Sequence, residues 1–181
     1  MGNDIFNKLI AKKGLWVEQN KLNLFKSIDF SMYPANAFAI ILQKLSLDKN
    51  KKYLGKLGSI MGEKASEEFK EEIKKISSFL SKDYQEINNI ILLSGFGEVF
   101  IEEKKGAFKV INKWHPVISK AKELYSDKSN VCEFYGEVYA SFVKKYKNLE
   151  NLKVYHKKCV CNGDEFCEWE LKNGKTNKSN S

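Results

Sequence analysis

A single α+β domain, an antiparallel sheet with helices packed on it, is the fold class that three features of this sequence predict. Segments with period-two alternation come in adjacent pairs around turn residues, as antiparallel hairpins require. Longer stretches between these pairs carry apolar residues at helical spacing. The order runs helix, strands, helices, strands, helices, strands, without the regular alternation that builds a parallel α/β sheet. A chain of 181 residues with 43% hydrophobic content can bury a core of its own. No repeat or long linker divides it, so 1–172 reads as one domain and 173–181 as a polar tail predicted to be disordered.

The elements follow in order. Asp4 can cap a first helix, with Ile5, Phe6, Leu9 and Ile10 on one stripe and Gly14 at its end. "LWVEQNKLNLF" and "SIDFSMYP" read as strands; Ile28, Phe30 and Met32 alternate with Asp29 and Ser31, and Pro34 ends the run. "ANAFAIILQKL" is an apolar helix. A longer amphipathic helix spans 52–79. It carries Gly55, Gly58 and Gly62 on one face, although each helical glycine costs about 1 kcal/mol against alanine. Two uses would offset that: close packing of another helix, the simpler one, or clearance for a ligand against the backbone. "GFGEVFIEE", the turn "KKG" and "AFKVINKW" form a hairpin. Pro116 opens a helix to about Leu124, "NVCEFYGEVYASFVKKY" forms an aromatic-rich one, and "LKVYHKKCV" with "FCEWEL" makes a last hairpin across "NGDE".

The net charge is +8, and every strongly basic residue is Lys. Base readout and bidentate phosphate contacts lean on Arg, and the lysines are spread along the chain, so composition argues against nucleic-acid binding. No apolar run is long enough for a membrane span. The charged N-terminus lacks the apolar core of a signal peptide, so the expected compartment is the cytoplasm, where disulfides are uncommon.

The segment "HKKCVCNGDEFCEWE" gathers His156, Cys159, Cys161 and Cys167, and Cys132 lies on the helix before it. Thiolate and imidazole are the ligands zinc prefers, and a structural site takes four. Cys132, His156, Cys159 and Cys167 make one such set. Residues three apart on a regular strand face opposite ways, so His156 and Cys159 converge only if the strand ends or bulges near Lys157 and Lys158. Cys161 is a rival ligand, since Cys159 and Cys161 would share a face. Reduced cysteines that merely pack in a core are a third possibility.

"VCEFYGEVYASFVKKY" followed by "YHKKCVCNGDEFCEWEL" resembles the 4-vinyl reductase domain family, whose pattern is a Cys opening a helix, an acidic residue three before a second Cys (His156 here), then Gly-Asp, then a Cys before an aromatic. "LLSGFGEVFIEEKKGAFKVINKWHP" resembles that family's Gly-x-Gly hairpin, and "KKYLGKLGSIMGEKA" its Gly-bearing helix more loosely. The resemblance covers most of the chain and is most specific over 131–171. It implies a ligand-binding fold related to haem nitric-oxide sensor domains, to small subunits of the TRAPP vesicle-tethering complex and to the sensory domains of aromatic-responsive transcription activators. In those sensors zinc is held by a helix Cys, a Glu, a Cys three later and a Cys eight after that. The registration selects Cys159 over Cys161 and puts His156 in place of the Glu, a change that zinc accepts.

A closed four-ligand zinc would be structural, and the resemblance implies a separate apolar pocket for a hydrophobic, aromatic or tetrapyrrole-like molecule. Its candidate lining is Gly58 and Gly62, then Phe96, Phe100, Phe108 and Trp114 from the hairpin region, and Phe134, Tyr135, Tyr139 and Phe142 from the Cys132 helix. His115 would be a polar anchor or a helix-start residue before Pro116. Neither His sits in a helix as a haem ligand would. No nucleotide fingerprint, flavin motif or acid–base pair is present, so the expected function is a sensor or carrier domain with a structural zinc and no catalytic residues. The alternatives are an accessory subunit in tetrapyrrole vinyl reduction, a TRAPP-type protein adaptor, or a zinc-containing nucleic-acid-binding regulator. The resemblance and the stripe of the first helix both suggest a homodimer, with output through a separate regulatory or enzymatic partner.

Overall fold

Alternation builds the main sheet. In β4 (Glu98–Lys104) Val99 and Ile101 are buried, and in β5 (Ala107–Trp114) Phe108, Val110 and Asn112 are. Gly106, at φ 76°, supplies the left-handed turn residue between these strands. The sheet order is β4-β5-β7-β6, all antiparallel, with β6 (Leu152–Lys158) on one edge and β7 (Cys167–Asn173) inside. The computed structural model describes residues 15–18, 21–24, 28–30, 33–47, 51–76, 96–104 and 106–173. The first helix expected over 4–14, the end of the long helix beyond 76 and the tail beyond 173 lie outside these residues. A second sheet is formed by β1 (Leu15–Glu18), β2 (Lys21–Leu24) and β3 (Ile28–Phe30), antiparallel in sequence order.

One face of the main sheet is covered by helices. Its other face carries charge: Lys109 pairs with Glu168 at 3.0 Å and Lys172 with Glu170 at 2.9 Å. The covered face meets α4 (Val131–Lys147), whose Cys132, Phe134, Tyr135, Val138, Tyr139 and Phe142 are buried. Trp169 of β7 is fully buried, and the glycine at 136 makes room for it: a Cβ there would lie 2.6 Å from the indole nitrogen. The remaining helices are α1 (Ala35–Leu47), α2 (Lys51–Ile76) and α3 (Pro116–Tyr125). Among the described residues no helix is long and apolar enough to cross a membrane.

The glycines of α2 decide how it sits on α4. A Cβ at Gly58 would lie 2.5 Å from the Phe134 carbonyl oxygen, and one at Gly62 would lie 2.2 Å from that of Val138. The helices thus meet backbone to backbone, and the Ser59 and Ser141 hydroxyls hydrogen-bond across them at 2.8 Å. This corrects the expectation that Gly58 and Gly62 border a ligand. Their missing side chains are filled by α4 itself, which offsets the weak helix propensity of glycine.

Candidate metal centre

Cys132 sits in the first turn of α4, and that turn is held from α1. Gln43 is buried; its amide nitrogen donates to the Lys128 carbonyl at 2.9 Å, and its amide oxygen accepts from the Asn130 backbone N–H at 3.1 Å. The other donors come from the β6–β7 hairpin. The β6 register shifts between His156 and Lys158, the bulge that the His156–Cys159 spacing demands. His156 stacks on Trp169, with ring centroids 5.1 Å apart and planes 14° from parallel.

Beyond the bulge the chain makes a knuckle. A 3-10 turn over Val160–Asn162 follows Cys159, whose carbonyl accepts from the N–H groups of Asn162 and Asp164. Gly163 at φ 99° reverses the chain. The Asp164 carboxylate accepts from the Cys159 N–H at 2.7 Å, and the Val160 N–H points at the Cys167 sulfur at 3.5 Å. The Gly-Asp of the sequence motif therefore shapes the turn that aims the cysteines.

All four cysteines are reduced and buried. From the Cys132 sulfur the distances are 3.4 Å to Cys159, 3.7 Å to Cys167 and 3.8 Å to Cys161. A tetrahedral ion with metal–sulfur bonds of about 2.3 Å has sulfur–sulfur edges of about 3.8 Å. The donor atoms of Cys132, His156, Cys159 and Cys167 all lie within 4.8 Å of one another, so this cluster can hold one metal ion. Sulfur hydrogen bonds within the cluster, that with Cys132 first, hold Cys159 below the usual thiol range. The same contact with Cys159 pushes Cys132 up. A metal that binds here would release thiol protons from the cluster.

The residues proposed as ligand contacts separate into two groups. Tyr135 is the centre of a buried aromatic set: His115 lies 3.9 Å from it between ring centroids, Phe134 5.0 Å, Tyr139 6.3 Å and Phe96 6.4 Å. Phe108 is buried on the inner sheet face, and Phe142 stacks on Tyr146 near the end of α4. Phe100 is not in this set. It alternates with Val99 and Ile101 onto the outer sheet face, where the Lys113 ammonium lies 5.0 Å from its ring. Trp114 is 54% exposed at the end of β5.

His115 is a helix-start residue. Its Nδ1 accepts from the Val117 N–H at 3.0 Å and the Ile118 N–H at 3.4 Å, and Pro116 occupies the first helical position. Burial lowers its pKa to about 3, so the ring is neutral near pH 7. With Nδ1 accepting, Nε2 carries the proton, and among the described residues this buried N–H has no partner. A cavity of about 210 Å³ opens beside it, with Asn112, Trp114, Lys122 and the metal-centre residue Cys167 also on its wall. Sequence reasoning missed Gln43. Its signal was a polar residue at the helical spacing of Ala39, Leu42 and Ser46, all buried.

No protein-family model matches the sequence, and no curated protein matches it. Solved structures do. The phenol-responsive sensory domain of the transcription activator PoxR, determined with phenol, is similar at a TM-score of 0.73 and 12% identity, over 94% of this chain and 89% of that one. A vinyl-4-reductase family protein from Methanocaldococcus jannaschii is similar at 0.54 and 19% identity, over 83% and 86%. Subunit 3 of the trafficking protein particle complex from Naegleria fowleri, covalently bound to palmitic acid, is similar at 0.53 and 16% identity, over 78% and 95%. At these identities the likeness speaks for architecture, and the chain has the α+β fold found in the phenol sensory domain, the trafficking subunit and the vinyl-4-reductase family protein.

Proposed function

We propose that the chain is a small-molecule sensor or carrier domain for a single-ring aromatic ligand, with a zinc ion at Cys132, His156, Cys159 and Cys167 pinning its last hairpin to α4. The carrying observation is the buried Nε2–H of His115, without a partner among the described residues, on a ring packed against Tyr135 and Phe96. Leaving a buried donor unpaired costs about 1–3 kcal/mol, and a ligand hydroxyl or carbonyl oxygen would relieve it. The cavity of about 210 Å³ that has His115 on its wall is nearer one ring than a tetrapyrrole in volume; Trp114, Lys113, Lys122 and Glu165 also line it, whereas Tyr135 and Phe96 do not. Phenol binding by the PoxR sensory domain supports the same ligand class. Zinc supplies cross-linking here, not chemistry: four protein donors leave no open position for water.

Phenol and its single-ring relatives are expected to raise the melting temperature in step with concentration, as any ligand of the folded state does. His115→Asn keeps a side-chain helix cap and removes the Nε2 donor. That variant is expected to bind zinc normally and lose the response. A screen in which no single-ring compound moves the melting curve would sink the ligand reading.

A homodimer is part of the same proposal, with output through a separate partner protein. Ile41 and Leu45 of α1 and Tyr53, Leu57 and Ile60 of α2 are exposed apolar side chains that a second copy would cover. Sedimentation is expected to give a dimer at micromolar concentration; a monomer there removes this part. The same face supports a second reading, a protein–protein adaptor, which the phenol screen separates from the first.

A further inference from the structure

We infer that the metal centre has five donors rather than four, with Cys161 as a reserve ligand that takes over the corner held by His156. The inference rests on the metal-site reading above. Cys161 is 3% exposed, and its sulfur is 3.8 Å from that of Cys132. That separation is a tetrahedral edge as good as the 3.7 Å between Cys132 and Cys167. The 3-10 turn over Val160–Asn162 carries Cys161 beside Cys132, just outside the set of donors that all lie within 4.8 Å of one another.

His156 is the contrasting donor. It is exposed and lies at the bulge of the edge strand β6, whereas the other three members of its set are buried. Any shift of β6 moves the imidazole first. The four sulfurs are carried by α4, the knuckle and the start of β7, not by the end of β6. Replacing His156 by Cys161 converts three thiolates and an imidazole into four thiolates, and tetrahedral zinc accepts both sets. The thiol proton of Cys161 passes to solvent in the exchange, and no electrons move. The metal would then keep α4 tied to the knuckle while the end of β6 is free to adjust.

The test uses the full chain loaded with zinc, or with cobalt(II) as a spectroscopic substitute. Four proteins are compared: wild type, His156→Ala, Cys161→Ser and the double variant. Both single variants are expected to keep about one metal per chain, and the double variant to bind at least about tenfold more weakly under chelator competition. Cobalt-loaded His156→Ala is expected to gain thiolate-to-metal absorption over wild type, because a fourth thiolate has entered; Cys161→Ser is expected not to. Loss of metal from His156→Ala alone overturns the proposal. So does a cobalt spectrum of that variant with no added thiolate band, or a double variant that binds as tightly as the single ones. A wild type that binds no metal would instead remove the underlying metal-site reading, so the two failures are distinguishable.

Discussion

Stripping the metal with a chelator is expected to lower the melting temperature by about 10 °C or more, and Cys159→Ser is expected to do the same while no longer retaining zinc. The reasoning starts from what the ion would hold. Cys132 belongs to α4, and Cys159 and Cys167 belong to the hairpin that follows it. Their sulfurs lie 3.4 and 3.7 Å from Cys132. Without the ion, three thiols and an imidazole are left with weak sulfur hydrogen bonds. Apparent binding energies for structural zinc run to about 10–16 kcal/mol in small domains. A third of that, retained as folding stability, corresponds to roughly 10 °C for a chain of this size. Elemental analysis is expected to give about one zinc per chain. Metal-free protein that melts where the loaded protein does would remove the structural role.

Gly62→Ala is expected to destabilise the fold by about 3 kcal/mol, at the upper end of what overpacking does in a close-packed interior. Its Cβ would meet the Val138 carbonyl oxygen at 2.2 Å and the Phe142 backbone nitrogen at 3.0 Å. Backbone cannot rotate aside as a side chain can, so α2 would have to lift from α4. The Ser59–Ser141 hydrogen bond and the ion pair of Lys145 with Glu67, at 2.8 Å, would stretch with it. Gly55→Ala is the matched control. There the Cβ would meet only the Glu137 side chain at 3.6 Å, an ordinary contact, so the gain in helix propensity of up to about 1 kcal/mol is expected to survive. Urea unfolding with unchanged slope reads both. Equal midpoints for the two variants would mean that the helices do not meet at residue 62.

What the sequence disclosed was whatever local chemistry sets. Alternation and turn residues placed both hairpins of the main sheet, and His115-Pro116 marked the start of α3 because a capping side chain and a fixed φ act within one turn. The bulge after His156 was deducible from the requirement that residues three apart on a strand share a ligand. The remainder depended on contacts between distant segments. Phe100 and Phe108 are equally aromatic, and only the pleat sends one to the charged outer face and the other inward. Glycines spaced for one helix face fit a ligand or a helix equally well, until α4, some eighty residues later, is brought against them. Gln43 reads as a flaw in an apolar stripe; its partners at Lys128 and Asn130 are not visible from its neighbours.

The strand order β4-β5-β7-β6 also bears on aggregation. An open antiparallel sheet has two margins whose backbone groups could recruit a strand from another molecule and grow into a fibre. Here β6 bears Lys153, Lys157 and Lys158, and β4 bears Glu98, Glu102, Glu103 and Lys104. Two copies brought together along β6 would set lysines side by side, and the β6 bulge would break the ladder after a few bonds; along β4 most of the charge is acidic. Growth through the main sheet is thus discouraged at both ends.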